Sequence, residues 1–142
     1  MLTTSDTIIR LILAFILGSI IGLEREAKGR SAGLRTHILV CVGSSLIMLI
    51  SVYIYHSYNN YSSVDPARIA AGVVTGIGFL GAGAIIRSRQ GSRGLTTAAS
   101  VWVSAAIGLA VGCGYFLAAI ISTGIIFLSL AFLKKAENKL DK

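Results

Sequence analysis

At 142 residues, with 54% hydrophobic and 13% charged side chains, the sequence lies far from an average soluble domain, in which about a quarter of residues are charged. Such apolar content specifies an integral membrane protein with one small bundle of spans, since a hydrocarbon core of about 30 Å takes ~20 apolar residues per helix. The formal charge of +7 does not make it a nucleic-acid binder, because the basic residues are spread over separate connections and not gathered on one face or arm.

The first apolar run, Thr7–Leu23, has no basic segment before it and is followed by Glu24-Arg25-Glu26 in place of a small-residue cleavage site, so it reads as a retained span and not a secretory leader. Its uncharged part, 11–23, covers only about 20 Å at 1.5 Å per residue. Either Asp6 with Arg10, or Glu24, therefore lies close to the hydrocarbon edge. Asp6–Arg10, Glu24–Lys28 and Glu26–Arg30 are all spaced to pair across one helical turn. Two readings stay open for Glu24. It is an interfacial partner that fixes helix depth, or it turns inward to meet Arg35, Arg93 or His37 in a polar site, as ionisable groups at membrane depth are functional suspects by default.

The second span is Thr36–Tyr55, with Thr36 as its expected cap. His37 has no second His or Cys near it in sequence to form a metal set and reads as interfacial, and so does His56. The connection 56–64 is polar and aromatic, and Asn60-Tyr61-Ser62 within it fits a glycosylation acceptor only incidentally. Asp65 and Pro66 form an N-cap and first-turn pair that opens a third span, Arg68–Ile86. This span carries Gly72, Gly76, Gly78, Gly81 and Gly83. Each interior glycine weakens a helix in water by roughly 1 kcal/mol relative to alanine, whereas in lipid small residues let backbones approach. Gly72, Gly76 and Gly83 fall within about 40° of one another on a helical wheel and Gly78 and Gly81 on the far side, so span three is expected to be sandwiched between neighbours.

The fourth span, Thr97–Cys113, is expected to be capped by Thr96 or Thr97 and is joined by a tight glycine turn, 112–114, to the fifth, Tyr115–Leu133. Gly18-x-x-x-Gly22 and Gly108-x-x-x-Gly112 give spans one and four the same close-packing surface. Deep in the spans the polar groups are Ser44, Ser45, Thr75, Ser100 and Ser104, lone hydroxyls that ordinarily bond back to their own helix.

Loop charges set the topology. Eleven of the thirteen basic residues fall on one side, between spans one and two, between three and four, and after five; only Arg10 and Arg68 fall opposite. The positive-inside rule then places the N-terminus outside and the C-terminus in the cytoplasm, with the tyrosines Tyr53, Tyr55, Tyr58, Tyr61 and Tyr115 toward the outer headgroups. Cys41 and Cys113 come out on opposite sides, so no disulfide is expected. Gly33-Leu34-Arg35-Thr36 and Gly94-Leu95-Thr96-Thr97 superpose on a shift of 61 residues. That is too short a match to separate an internal repeat from chance.

Several motifs in order carry a resemblance: Gly22-Leu23-Glu24-Arg25-Glu26, Ala32-Gly33-Leu34-Arg35-Thr36-His37, Asp65-Pro66-Ala67-Arg68-Ile69-Ala70-Ala71, and Gly94-Leu95-Thr96-Thr97-Ala98-Ala99-Ser100-Val101-Trp102. Together they resemble the MgtC/SapB family over about Gly18–Gly114. Gly72 departs from the glutamine that family members typically place there. Longer members also carry a soluble C-terminal regulatory domain; the expectation here is the short form, one transmembrane domain over 1–142. The resemblance implies an all-α, five-helix protein of the bacterial inner membrane, adaptation to low magnesium, and functional polar residues at Glu24, Arg25, Arg35, Asp65, Arg68, Arg93 and Thr96. It also implies either Mg²⁺ transport or regulation of other membrane machines, the F-type ATP synthase among them.

Composition weighs on that choice. The six acids, Asp6, Glu24, Glu26, Asp65, Glu137 and Asp141, cluster at span edges, whereas Mg²⁺ needs six oxygen ligands and usually one or two carboxylates. The expectation is an accessory protein whose rim of Glu24, Arg35 and Arg93 contacts a partner, with a transporter as the alternative. No cofactor beyond Mg²⁺ is implied, and no nucleophile–base pair, phosphate loop or Cys/His cluster points to an enzyme. Surplus small-residue surface favours a homodimer.

Overall fold

The described residues form five helices. The computed structural model describes the backbone of residues 2–58, 65–88 and 91–140 and the side chains of 2–58, 65–85 and 93–132. The acceptor tripeptide at Asn60 and the side chains of Arg87, Arg89, Lys134, Lys135, Glu137, Lys139, Asp141 and Lys142 lie outside the described residues.

Helix α1 (Thr4–Ala27) is longer at both ends than its apolar run. At its start the Asp6 amide donates to Thr3 Oγ1 at 3.1 Å while Asp6 Oδ2 accepts from the Thr3 amide at 3.0 Å, a reciprocal cap. Asp6 is thereby used locally, and the expected Asp6–Arg10 pair is absent among the described ion pairs. Arg10 instead donates to the Gly112 carbonyl at 2.7 Å, the negative end of a neighbouring helix, with its guanidinium 5.9 Å from the Phe116 ring centroid. At the other end Gly29, with φ +61°, lets the Arg30 amide reach back to Arg25 O and the Gly29 amide to Glu26 O, the paired bonds that close a helix C-terminus.

Helix α2 (Leu34–Tyr58) and α4 (Leu95–Cys113) start one residue after Gly33 and Gly94. The expected threonine caps are not there: the Leu34 amide donates to Glu26 Oε2 at 2.9 Å, and Gly94 heads α4 without a side-chain cap. A carboxylate reaching across from the preceding helix takes the work Thr36 was expected to do, and Thr36, Thr96 and Thr97 all lie within helices. Helix α3 (Pro66–Gly83) is capped as expected, with Asp65 Oδ1 accepting from the Ala67 amide at 2.8 Å. The basic connection after it, expected as a loop, pairs as a short antiparallel ribbon, β1 (Ile86–Ser88) with β2 (Gly91–Arg93), Ile86 opposite Arg93. Helix α5 (Phe116–Leu140) follows α4 through Gly114. Helices α1 to α4 are long and apolar enough to cross a membrane, while the apolar part of α5 is the shorter stretch Phe116–Phe132.

Helix α2 is the central staff. On one side α1 lies so close that a Cβ on Gly18 would stand 2.9 Å from the His37 carbonyl and one on Gly22 2.7 Å from Leu34 Cα. On the other side α4 lies closer still: a Cβ on Gly108 would meet the Cys41 carbonyl at 2.1 Å and one on Gly112 the Ser45 carbonyl at 2.6 Å. Those four glycines do what their spacing predicts. Ala14, Leu17, Ile21, Cys41, Ile107, Val111 and Ala119 fill the core between α1, α2, α4 and α5, and Val73 and Ile77 lay α3 on Val101 and Ala105.

The expectation for α3 is overturned. Added Cβ atoms at Gly72, Gly76, Gly78 and Gly83 would meet nothing within 4 Å, and only Gly81 touches a neighbour, at 3.7 Å from the Ala98 Cβ. Helix α3 is an edge helix and is not sandwiched. Gly72 and Gly76 line an open groove of about 470 Å³ between α2 and α3. A wheel shows which side of a helix is thin, and the thin side here is left open. Cys41 is buried and Cys113 exposed, both free.

Candidate functional site

The tight α1–α2 corner brings together charges that ordinary helix spacing would leave apart. A Cβ on Gly33 would collide with the Glu26 carboxylate, so glycine at 33 is what allows Glu26 to lie over the start of α2 and cap it. This uses up Glu26, and its expected pairing with Arg30 is not among the described ion pairs. Glu24, two residues earlier and on the inner face, is buried, with its side chain 5% exposed.

Glu24 Oε1 stands 2.5 Å from Lys28 Nζ, the expected pair one turn along, and Oε2 stands 3.7 Å from Arg25 Nη1. Arg25, 3% exposed, passes inward and its Nη2 donates to Thr97 Oγ1 of α4 at 3.3 Å. Lys28 reaches further, donating to the Leu130 carbonyl of α5 at 2.7 Å. One carboxylate and two cations thus fasten α1 to α4 and α5. Neither Glu24 oxygen nor Arg25 Nε has a well-aligned hydrogen bond among the described residues. An ion pair this buried is weak evidence of stability, because desolvation offsets much of the attraction.

Beside it His37 is fully buried, which corrects the interfacial expectation. Its Nδ1 lies 2.7 Å from the Gly33 carbonyl four residues back, and its Nε2 lies 3.0 Å from Ser100 Oγ on α4. A carbonyl only accepts, so Nδ1 carries a proton and, in the neutral ring, Nε2 accepts from Ser100. The Ser100 hydroxyl is also 2.8 Å from the Thr97 carbonyl. Its single proton serves one of these acceptors at a time.

The expected site residues divide into three groups. Glu24 and Arg25 belong to the buried cluster. Arg35, Arg93 and Thr96 lie exposed at the same basic end, and none of them is paired with Glu24 among the described residues. Asp65 and Arg68 are exposed at the opposite end, where Asp65 is a helix cap; the structure does not bring them near Glu24. Lys28, His37, Thr97 and Ser100 complete the cluster. The signal for His37 was its place four residues after Gly33, which puts a ring nitrogen over that carbonyl. Nothing along the chain announced that Thr97 and not Thr96 would face Arg25. Of the deep hydroxyls, Thr75 and Ser104 bond back to their own helices as expected, whereas Ser51, not singled out in sequence, ties α2 to the Pro66 carbonyl.

No group of three or more His, Cys, Asp or Glu placed to hold a metal occurs among the described residues. Glu24 is the nearest approach to a cation ligand, and both its oxygens already face protein cations.

Comparison with known proteins agrees with this picture of a membrane bundle. The model of the MgtC family matches residues 11–139. YhiD of Escherichia coli strain K12, whose name describes it as a candidate magnesium transporter, is 51% identical over 115 residues, 80% of this chain and 54% of its own. MgtC of Salmonella typhimurium strain LT2 is 42% identical over 135 residues, 95% of this chain and 55% of its own. A Haemophilus influenzae protein is 42% identical over 125 residues, 85% of this chain and 52% of its own. The chain therefore spans about half the length of the relatives it matches. No solved structure matches it significantly.

Proposed function

The chain belongs to the MgtC family, and from that premise we propose that it serves magnesium homeostasis in the bacterial inner membrane as an accessory protein, not as an Mg²⁺ conduit. The observation that carries this reading is the pairing of Glu24. A carboxylate meant to collect Mg²⁺ must present free oxygens, and those of Glu24 stand 2.5 Å and 3.7 Å from Lys28 and Arg25. The cluster carries one negative and two positive charges, which repels a divalent cation.

What the cluster does instead is mechanical. It locks α1, α4 and α5 and leaves Arg35, Arg93 and Thr96 outward on a rigid platform at the basic end. An exposed basic platform fits acidic segments of another membrane protein, and the F-type ATP synthase implied by resemblance is the first to test by crosslinking. A strain carrying Arg35→Gln with Arg93→Gln should make normal amounts of folded protein yet grow poorly in low magnesium. Full growth with both arginines gone would remove the platform from the account. Transport is the second reading, favoured by the name of the Escherichia coli relative.

Orientation follows from the charge asymmetry. With five spans and the basic end in the cytoplasm, Ser62→Cys should react with an impermeant maleimide on intact cells and Ser92→Cys only after permeabilisation, in a background lacking Cys41 and Cys113. The reverse pattern would invert the bundle.

A further inference from the structure

We propose that the open groove between α2 and α3 is the seat of one anionic phospholipid, with an acyl chain along the groove and the phosphate headgroup on Arg35 and Arg93. The inference goes beyond the accessory reading and stands without it.

The groove itself is the first observation. Its α2 wall is the stripe Leu39, Gly43 and Ile47, each one turn from the next, and its α3 wall is opened by Gly72 and Gly76. Cβ positions on Gly43, Gly72 and Gly76 meet nothing within 4 Å. The resulting space of about 470 Å³ falls in the roughly 300–1,000 Å³ range of small-molecule sites and is apolar, as they are. A neighbouring helix, about 10–12 Å across with its side chains, lies upon such a groove, whereas a flexible hydrocarbon chain enters it.

The second observation is continuity toward the basic end. Leu80 lines this groove and also a second pocket, where Gly83 and Ala84 face Ser31 and Thr36 of the α1–α2 corner. The apolar path thus ends at two hydroxyls, the kind of group that meets a glycerol ester.

Charge complementarity is the third. Arg35 lies one turn below Leu39 on the same stripe of α2 and is exposed. Arg93 stands by the foot of α3, because Gly94 is pressed so close to the Ala84 carbonyl that a Cβ there would lie 2.0 Å from it. Neither arginine has a carboxylate partner among the described residues. The described acids of this end are engaged: Glu24 by Lys28 and Arg25, Glu26 by the Leu34 amide. Two unneutralised guanidiniums at headgroup depth favour a lipid with net negative charge over one whose own ammonium cancels its phosphate. Bound there, the lipid occupies both arginines of the platform, so it competes with an acidic partner for them.

The test is native mass spectrometry of the protein extracted in mild detergent, with the retained lipid identified against the composition of the source membrane. Wild-type protein should keep phospholipid with phosphatidylglycerol or cardiolipin enriched several-fold over the membrane. Gly76→Leu, which projects a side chain into empty space, should lower lipid occupancy at least fivefold whatever the headgroup. Arg35→Gln with Arg93→Gln should keep chain binding but lose the enrichment, and this variant decides the matter should Gly76→Leu fail to fold. Retained lipid that mirrors the bulk membrane, or enrichment unchanged in the arginine variant, overturns the proposal. A wild-type dimer that Gly76→Leu dissociates without changing bound lipid also overturns it, and makes a second copy of this chain the occupant.

Discussion

Gly108→Ala is expected to destabilise the bundle by about 1–3 kcal/mol or more, the usual cost of overpacking, while Gly76→Ala is neutral or slightly stabilising. Both changes add one methyl to an apolar helix. At Gly108 that methyl would stand 2.1 Å from the Cys41 carbonyl oxygen and 2.9 Å from the Ser44 Cβ. The first is backbone and cannot swing aside, so α2 and α4 must part along the seam that carries the His37–Ser100 bond. At Gly76 there is nothing within 4 Å, and replacing glycine by alanine inside a helix removes a propensity cost of roughly 0.5–1 kcal/mol. Unfolding in mixed detergent micelles, followed through Trp102 on α4, separates the two. Equal midpoints would mean that α2 and α4 are not in the contact described.

Part of this packing was legible in the sequence. Glycines at fourfold spacing in spans one and four announced close packing, and Gly18, Gly22, Gly108 and Gly112 all provide it against α2. The five glycines of α3 announced it more loudly and, except at Gly81, do not provide it inside this bundle. Thinness permits contact from any apolar neighbour, lipid included, and a wheel cannot name which one. The Asp65-Pro66 cap was legible because it is built from adjacent residues. The caps of α2 and α4 were not, since one depends on Glu26 folding across a turn at Gly33 and the other on a glycine alone.

At the site, Glu24 and Lys28 were legible as a pair one turn apart. The inward course of Arg25 to Thr97, 72 residues away, and of His37 to Ser100 depends on which faces of α1, α2 and α4 meet, and that is decided by packing on both sides of α2. Charges exposed at the same end, Arg35 and Arg93, were grouped with Glu24 on loop proximity. The structure separates them into a buried fastening and an outward platform.

The second large effect is expected at that fastening. Glu24→Gln and Arg25→Gln should each cost about 3–5 kcal/mol, the range for breaking one side of a buried ion pair, because each leaves a buried opposite charge less compensated. The double variant should cost clearly less than the two together, with a coupling of about 0.5–3 kcal/mol. Lys28, whose side chain is 33% exposed, should matter less than Arg25. A strictly additive cycle would show that Glu24 and Arg25 do not sense one another, and would leave Lys28 alone to engage the carboxylate.

The state of Glu24 reaches the functional proposal itself, since a Glu24 engaged by Arg25 and Lys28 is a structural counter-ion and a free one is a candidate ligand. Flux measurement decides between them most directly. Purified protein in proteoliposomes enclosing a magnesium-sensitive dye should admit no more Mg²⁺ than empty vesicles, and Glu24→Gln should change nothing. Robust uptake by the wild-type protein would contradict the accessory reading, and its loss in Glu24→Gln protein shown to be folded would make this carboxylate part of an ion pathway.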